Sequence, residues 1–124
     1  MIDIHDAIRI HEVLIEKFGG SHGIRDLALL ESALSRPFQT FDLEDLHPTT
    51  INKAAALIES ILINHPFIDG NKRIGYVLMR LLIMNYGFDI LATEDEKYDF
   101  SIKIDRGEYR YSEITDWLTR NIQP

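Results

Sequence analysis

The sequence predicts an all-α fold, a compact bundle of about six helices with one small extended flap. Apolar residues recur every three to four positions through most of the 124-residue chain, which is the spacing of a buried helix face. Glycines, prolines and residues suited to helix caps interrupt this pattern at intervals typical of helix lengths. The length favours a single domain, and we expect it to cover residues 1–124.

The N-terminal third predicts two helices. Asp3 precedes the first, whose apolar face continues to Gly19-Gly20, a helix stop. His11 lies on that face, and we interpret it as a packed core histidine. Asp26 is suited to cap a short second helix that stops before Pro37.

The next segment, residues 36–47, has no helical period. Its aromatic and β-branched residues favour an extended backbone, so we expect a flap with at most a small hairpin. The residues that we assign to the flap are Arg36, Pro37, Phe38, Gln39, Thr40 and Phe41.

Two helices are predicted on either side of residues 65–73. Thr49 or Thr50 caps the first of them, which should end near His65 because the following proline disfavours helical backbone in the residue before it. The second should begin with Asn71 as its N-cap and stop at Gly87. It is apolar over most of its circumference, which predicts that it is the central helix.

The C-terminal part predicts a short extended connector over residues 88–91 and two further helices. Thr93 caps the fifth helix, which ends near Gly107, and Ser112 starts the sixth. The expected core face of the sixth helix is Ile114, Trp117, Leu118 and Ile122. We interpret Trp117, the single tryptophan, as a core anchor.

Composition excludes several classes of function. The net charge of −7 argues against general affinity for nucleic acid, because such binding depends on Lys and Arg contacts to phosphate. The chain has no cysteine, and we see neither a signal peptide nor an apolar run long enough to span a membrane. We therefore expect a cytoplasmic protein whose phosphate-binding capacity is confined to a local basic pocket at Lys72 and Arg73.

Residues 65–73, His-Pro-Phe-Ile-Asp-Gly-Asn-Lys-Arg, contain the groups that such a pocket needs. Gly70 permits a tight turn before a new helix. The unpaired amides at a helix N-terminus, together with Lys72 and Arg73, form a site for phosphate. Asp69 is a hard oxygen ligand suited to Mg²⁺ carried on a nucleotide, and His65 is a candidate base. The combination indicates phosphoryl or nucleotidyl transfer.

Each of these residues also has a plain structural interpretation. His65 could simply end a helix, Asp69 could form a turn, Asn71 could be a cap, and the two basic residues could be a solvated pair. Short motifs do match by chance. Here, however, the groups occupy one nine-residue string that lies between two helices, as the mechanism needs, which favours the functional interpretation.

This string resembles the signature of the Fic/Doc family, His-Pro-Phe-x-(Asp/Glu)-Gly-Asn-(Gly/Lys)-Arg, at every defined position. The resemblance implies a Fic/Doc-type helical bundle and an enzyme that modifies protein hydroxyls using ATP and Mg²⁺. Lys72, in place of a glycine, and Tyr76, in place of a second arginine, resemble the Doc branch. That branch implies a toxin that transfers the γ-phosphate of ATP to a Ser or Thr of elongation factor Tu and so blocks translation.

Residue roles follow from the same resemblance. His65 would accept the hydroxyl proton, Asp69 would bind Mg²⁺, and the phosphates would be held by Gly70, Asn71, Lys72 and Arg73. The flap would pair with the target polypeptide. A separate Phd-like antitoxin would act in trans, because the closest match to the family's inhibitory segment, residues 40–45, lies within the flap. Two alternatives stay open: a Fic-like AMP transferase, and a helical binding module without turnover.

Overall fold

A computed structural model describes residues 2–124 and confirms the all-α prediction. The helices are α1 Ile4–Phe18, α2 Leu27–Ser35, α3 Thr50–Asn64, α4 Asn71–Asn85, α5 Glu94–Asp105 and α6 Tyr111–Asn121. A 3₁₀ turn spans Arg36–Phe38. Two small antiparallel pairs join β1 Thr40–Phe41 to β2 Glu44–Asp45 and β3 Asp89–Ile90 to β4 Ile122–Gln123. Within this part of the chain, no helix is both long and apolar enough to cross a membrane.

Four helices begin at the N-caps that the sequence predicts. The side chains of Asp3, Asp26, Thr49 and Thr93 each accept a hydrogen bond from an amide in the first turn of their helix. Such bonds pair amides that have no partner within the helix. At Thr93, the carboxylate of Glu96 also accepts from the cap amide, which completes a capping box.

Three predicted boundaries differ from the structure. Gly70, and not Asn71, is the N-cap of α4, because only the left-handed backbone of Gly70 (φ 75°) turns the chain into this helix. The sixth helix begins at Tyr111, one residue earlier than expected. Ile122 lies beyond it in β4, where it pairs with Ile90, a strand pair that was not predicted.

The flap is only partly extended. Residues 36–38 form the 3₁₀ turn, with Pro37 buried, because the proline can follow directly on the end of α2. The extended part is the β1–β2 hairpin. Its turn residues Asp42 and Leu43 have φ values of 53° and 67°, as in a type I′ turn.

Helix α3 is the most enclosed element of the bundle. All of its residues from Lys53 to Leu62 are buried. Helix α4, expected to occupy the centre, shares it with α3: a Cβ at Gly75 would lie 3.1 Å from a Leu62 methyl, so the glycine permits close helix packing. Trp117 anchors the core as predicted, with its ring stacked on Phe100 at 3.9 Å between centroids.

Candidate active site

The signature loop, residues 65–73, opens into a cleft of about 920 Å³. The cleft lies where the end of α3, the start of α4 and the length of α5 meet. Phe18, Arg25 and a series of residues from the loop, α4 and α5 line it. All of the predicted catalytic and phosphate-binding residues line it, namely His65, Asp69, Gly70, Asn71, Lys72 and Arg73.

His65 ends α3 as expected and is placed by its backbone. It is the C-cap, with a left-handed φ of 47°, and its amide donates to the Ile61 carbonyl at 3.0 Å. The Arg25 guanidinium donates through Nε to the His65 carbonyl at 2.7 Å and also bonds the Asn64 carbonyl. Arg25 thus pairs carbonyls that the end of a helix leaves free. The imidazole is half-exposed, and its Nε2 lies 2.7 Å from Oδ1 of Asp105.

Asp69 is fixed by two amides. Ser21 N–H donates to its Oδ2 at 3.0 Å, and Gly70 N–H donates to its Oδ1 at 2.8 Å. These two bonds lower the pKa of Asp69 below its ordinary value, so the carboxylate is ionised at neutral pH. Gly20 is needed beside it, because at φ +116° a Cβ there would lie 2.7 Å from Oδ2.

Phe67 anchors the loop in the core. The ring is 1% exposed and stacks on His11, with 3.9 Å between centroids. His11 Nε2 also lies 2.7 Å from the backbone carbonyl oxygen of Asp69. The prediction that His11 is a packed histidine is therefore confirmed, and its contacts support the loop directly.

The segment between α1 and α2 forms a second support for the loop. Ile24 and Phe67 form an antiparallel bridge, and Ile68 N–H donates to the Gly23 carbonyl at 3.1 Å. The Pro66 carbonyl accepts from the amides of residues 25 and 26 at 2.7 and 3.0 Å. Most of the loop's polar backbone is therefore paired, which fixes its shape before any ligand arrives.

The start of α4 offers a cradle for phosphate. Because Gly70 is the cap and Ile74 N–H donates to its carbonyl at 3.0 Å, the amides without helical partners are those of residues 71–73. The Asn71 side chain is turned back into the loop: its Oδ1 accepts from Phe67 N–H and its Nδ2 donates to the Phe67 carbonyl. It therefore holds the loop's geometry, and its backbone amide is the part left for a phosphate.

The two basic side chains of the cradle differ in their partners. The guanidinium of Arg73 stacks on the Phe18 ring at 4.2 Å, and within residues 2–124 it forms no ion pair. Such stacking orients the guanidinium and leaves its N–H groups able to grip phosphate. Lys72 Nζ lies 4.0 Å from Oδ2 of Asp105.

The donor set around Asp69 suits Mg²⁺ delivered with a nucleotide. Residues 2–124 contain no group of three or more His, Asp or Glu residues that could hold a metal by themselves. Mg²⁺ usually takes one or two carboxylates and completes its shell with phosphates and water. A single ionised carboxylate next to a phosphate cradle meets that requirement.

Two cleft residues that contact His65 were not predicted as site residues, and a third cleft residue, Tyr76, had only been compared with the family pattern. Asp105 and Arg25 both contact His65 from segments 40 residues away in sequence. Tyr76, noted only because it stands in place of a second arginine of the pattern that the string resembles, has a buried hydroxyl without a partner in the described part of the chain. Its burial raises its pKa to about 12. One sequence feature does point to Asp105: it is a carboxylate in the last turn of a helix, where it opposes the helix dipole.

The flap residues, by contrast, do not line the cleft. The flap is tied to α3 by charged groups: Arg36 donates to Glu59 at 2.9 Å, and Lys53 lies 3.5 Å from Asp45. Its tip is exposed, with Phe41 75% and Leu43 99% accessible.

Comparison with known proteins agrees with this geometry. A family model described as "Fic/DOC family" matches residues 1–83. The chain is 34% identical over 97 residues to "Toxin Doc" of Mycolicibacterium smegmatis, covering 78% of this chain and 68% of that protein. It is 28% identical over 108 residues to a Fido domain-containing protein of Dictyostelium discoideum, covering 82% and 74%. A "Protein adenylyltransferase Fic" of Drosophila erecta is 39% identical over 66 residues, 53% of this chain and 13% of that protein.

Proposed function

Because the chain belongs to the Fic/DOC family, we propose that it is a toxin that transfers the γ-phosphate of ATP to a Ser or Thr hydroxyl of a target protein. One observation carries this proposal. The cleft gathers a candidate base, an ionised carboxylate, three free amides and two basic side chains within nine consecutive residues. These are the parts that phosphoryl transfer requires, since its catalysis is mostly positioning and charge stabilisation.

The proposed reaction assigns one role to each group. The target hydroxyl oxygen forms a bond to the γ-phosphorus, the bond from that phosphorus to the bridging oxygen breaks, and ADP leaves. His65 takes the hydroxyl proton, a contribution typically worth about 10²–10⁴ in rate. Arg73 and Lys72 stabilise the charge on the transferred group and on the leaving phosphate. Asp69 would hold Mg²⁺, which neutralises phosphate charge when bound.

Lys72 supports phosphate transfer over AMP transfer. Its side chain lies in the cleft at the start of α4, where the related adenylylating pattern has a glycine. In the nucleotide orientation used for AMP transfer, the phosphate chain passes over this position, and a lysine side chain leaves it less room than a glycine. The lysine therefore favours the reversed orientation, in which the γ-phosphate lies towards His65. AMP transfer is the second candidate, favoured by the 39% identity to the adenylyltransferase over 66 residues.

The "Toxin Doc" relative supports a toxin role, and the specific partners come from the resemblance to the Doc branch. We propose a Phd-like antitoxin that acts in trans and elongation factor Tu as a target. Expression of the chain alone should then stop growth and translation, and His65→Ala should restore both. Unimpaired growth at an expression level confirmed by immunoblot would reject the toxin role, even if the chemistry persisted in vitro.

The type of reaction is tested by following which labelled phosphate of ATP becomes bound to protein. Purified protein is incubated with a bacterial lysate and with ATP labelled at either the α- or the γ-phosphate. We expect protein-bound label from the γ-position only, and its loss in His65→Ala. Transfer of α-label would establish AMP transfer instead, and no transfer of either label would support a binding module.

A further inference from the structure

A carboxylate from a distant helix meets the proposed base. Asp105 is the last residue of α5, and its Oδ1 lies 2.7 Å from Nε2 of His65. Building on the proposed function, we propose that Asp105 is a positioning residue for His65: it accepts the Nε2–H of the imidazole and leaves Nδ1 as the nitrogen that takes the hydroxyl proton.

Core packing holds Asp105 in place. Phe100 and Ile104, on the buried face of α5, are both fully buried. Phe100 stacks on Trp117 of α6, so the helix cannot rotate without breaking the core. The carboxylate therefore reaches the cleft from a rigid element, which is what precise orientation of a base requires.

The position of Asp105 is unfavourable for the helix itself. A negative side chain in the last turn opposes the helix dipole. Residues that break a local rule in this way are often kept for function. Lys72 partly offsets the charge, because its Nζ lies 4.0 Å from the other carboxylate oxygen. The two contacts place the carboxylate between the candidate base and the cradle.

The contact decides which ring nitrogen can react. A neutral imidazole has one N–H and one lone pair, and a carboxylate can only accept. With Nε2–H donated to Asp105, the lone pair resides on Nδ1. When His65 takes the hydroxyl proton there, the imidazolium that forms lies beside a negative charge and is stabilised.

Kinetics of two Asp105 variants test this role. Asp105→Ala should lower kcat for transfer by about 10- to 100-fold, less than loss of the base itself. The KM for ATP should not rise, because Lys72 is freed for phosphate. Asp105→Asn, which keeps an acceptor without the charge, should fall between Asp105→Ala and the unchanged protein. The matched control is Asp99→Asn, because this aspartate lies on the same helix, is exposed and pairs with Lys103 away from the cleft.

The tautomer of the His65 ring is measured by ¹⁵N NMR at a pH where the imidazole is neutral. We expect His65 to be the Nε2–H tautomer in the unchanged protein and in Asp99→Asn, and a mixture of tautomers in Asp105→Ala. An unchanged tautomer, or a kcat that is unaffected or raised, would overturn the inference; a raised kcat would mean that the carboxylate obstructs the base. Because NMR needs no turnover, it decides the inference even if neither ATP label is transferred.

Discussion

The signature loop and the flap are both connections that lead to or from α3, and they are held in opposite ways. The loop at residues 65–73 is fixed by backbone hydrogen bonds and by a buried aromatic pair, Phe67 on His11. The flap at residues 36–47 is fixed at its base by ion pairs, and its apolar tip is exposed to solvent. The signature loop therefore has its shape before any ligand binds, whereas the flap leaves an apolar surface exposed for a partner.

This difference matches what each segment is proposed to do. Transfer of a phosphate requires groups placed to a fraction of an ångström. Recognition of an extended polypeptide by a strand edge tolerates movement, because main-chain hydrogen bonds form along the edge as the partner settles. Four experiments test this difference between the loop and the flap.

The largest effect is expected from Phe67→Ala. The ring is 1% exposed, and its removal leaves a cavity under the loop, at a cost of about 3–5 kcal/mol in the free energy of unfolding. Chemical denaturation measures this cost. The matched control in the flap is Phe41→Ala, which should change stability by less than about 0.5 kcal/mol because the ring is 75% exposed. Equal costs for the two variants would contradict the proposed difference.

Glu59→Ala should loosen the flap. Glu59 is buried and bonds Arg36 and Arg110 through its two oxygens, at 2.9 and 3.2 Å. Breaking a buried ion pair typically costs about 3–5 kcal/mol, and we expect about 2–3 here because both arginines are partly exposed. Limited proteolysis should show faster cleavage within residues 39–46. Glu31→Ala, at an exposed position of α2, is the control, and equal cleavage in both variants would reject the tether.

Gly20→Ala tests the fixed geometry of Asp69. A Cβ at Gly20 would lie 2.7 Å from the carboxylate, whereas a Cβ at Gly19 would meet nothing within 4 Å. Both positions have positive φ, so both substitutions strain the backbone, by about 1–3 kcal/mol each. Only Gly20→Ala should displace Asp69 and lower phosphate transfer by a further factor of about 10–100. Similar transfer rates for the two variants would show that Asp69 tolerates displacement.

The smallest expected effect is a difference between the flap and the signature loop in the pH at which each loses its stabilising contacts. Burial, then the charges of Arg36 and Lys53, lower the pKa of His47 below 6.5. The unfolded chain therefore binds a proton first, and the stability of the flap anchor falls as pH drops below about 6.5. The pKa of Asp69 is lowered from 3.8, so its bonds are intact above 3.8 and are lost only as pH falls through its folded value.

Amide chemical shifts measure this difference. Between about pH 6.5 and 4, the amide of Leu46, which bonds Gln39 in the flap, should shift while that of Ser21 keeps its bond to Asp69. The response of Leu46 should disappear in His47→Asn. A Leu46 shift that persists in this variant would assign the response to another group.

Much of the fold could be predicted because its signals are local. Asp3, Asp26, Thr49 and Thr93 cap helices within four residues of themselves. The flap was harder to predict, because its own sequence has no regular period and ion pairs with Glu59 and Lys53 of α3 hold it in place. The β3–β4 pair was missed for a related reason, since its strands are 32 residues apart and only two residues long.

The sequence by itself identifies which groups the candidate site contains, because nine consecutive residues include a candidate base, a carboxylate and two basic side chains, and a helix end followed by a helix start brings them together. The orientation of each group depends on contacts between segments that are distant in the chain. His11 contacts Asp69 across 58 residues, Ser21 across 48, and Asp105 reaches His65 across 40. Such contacts leave no local pattern, since they depend on how buried helix faces pack against one another and not on neighbours in the chain.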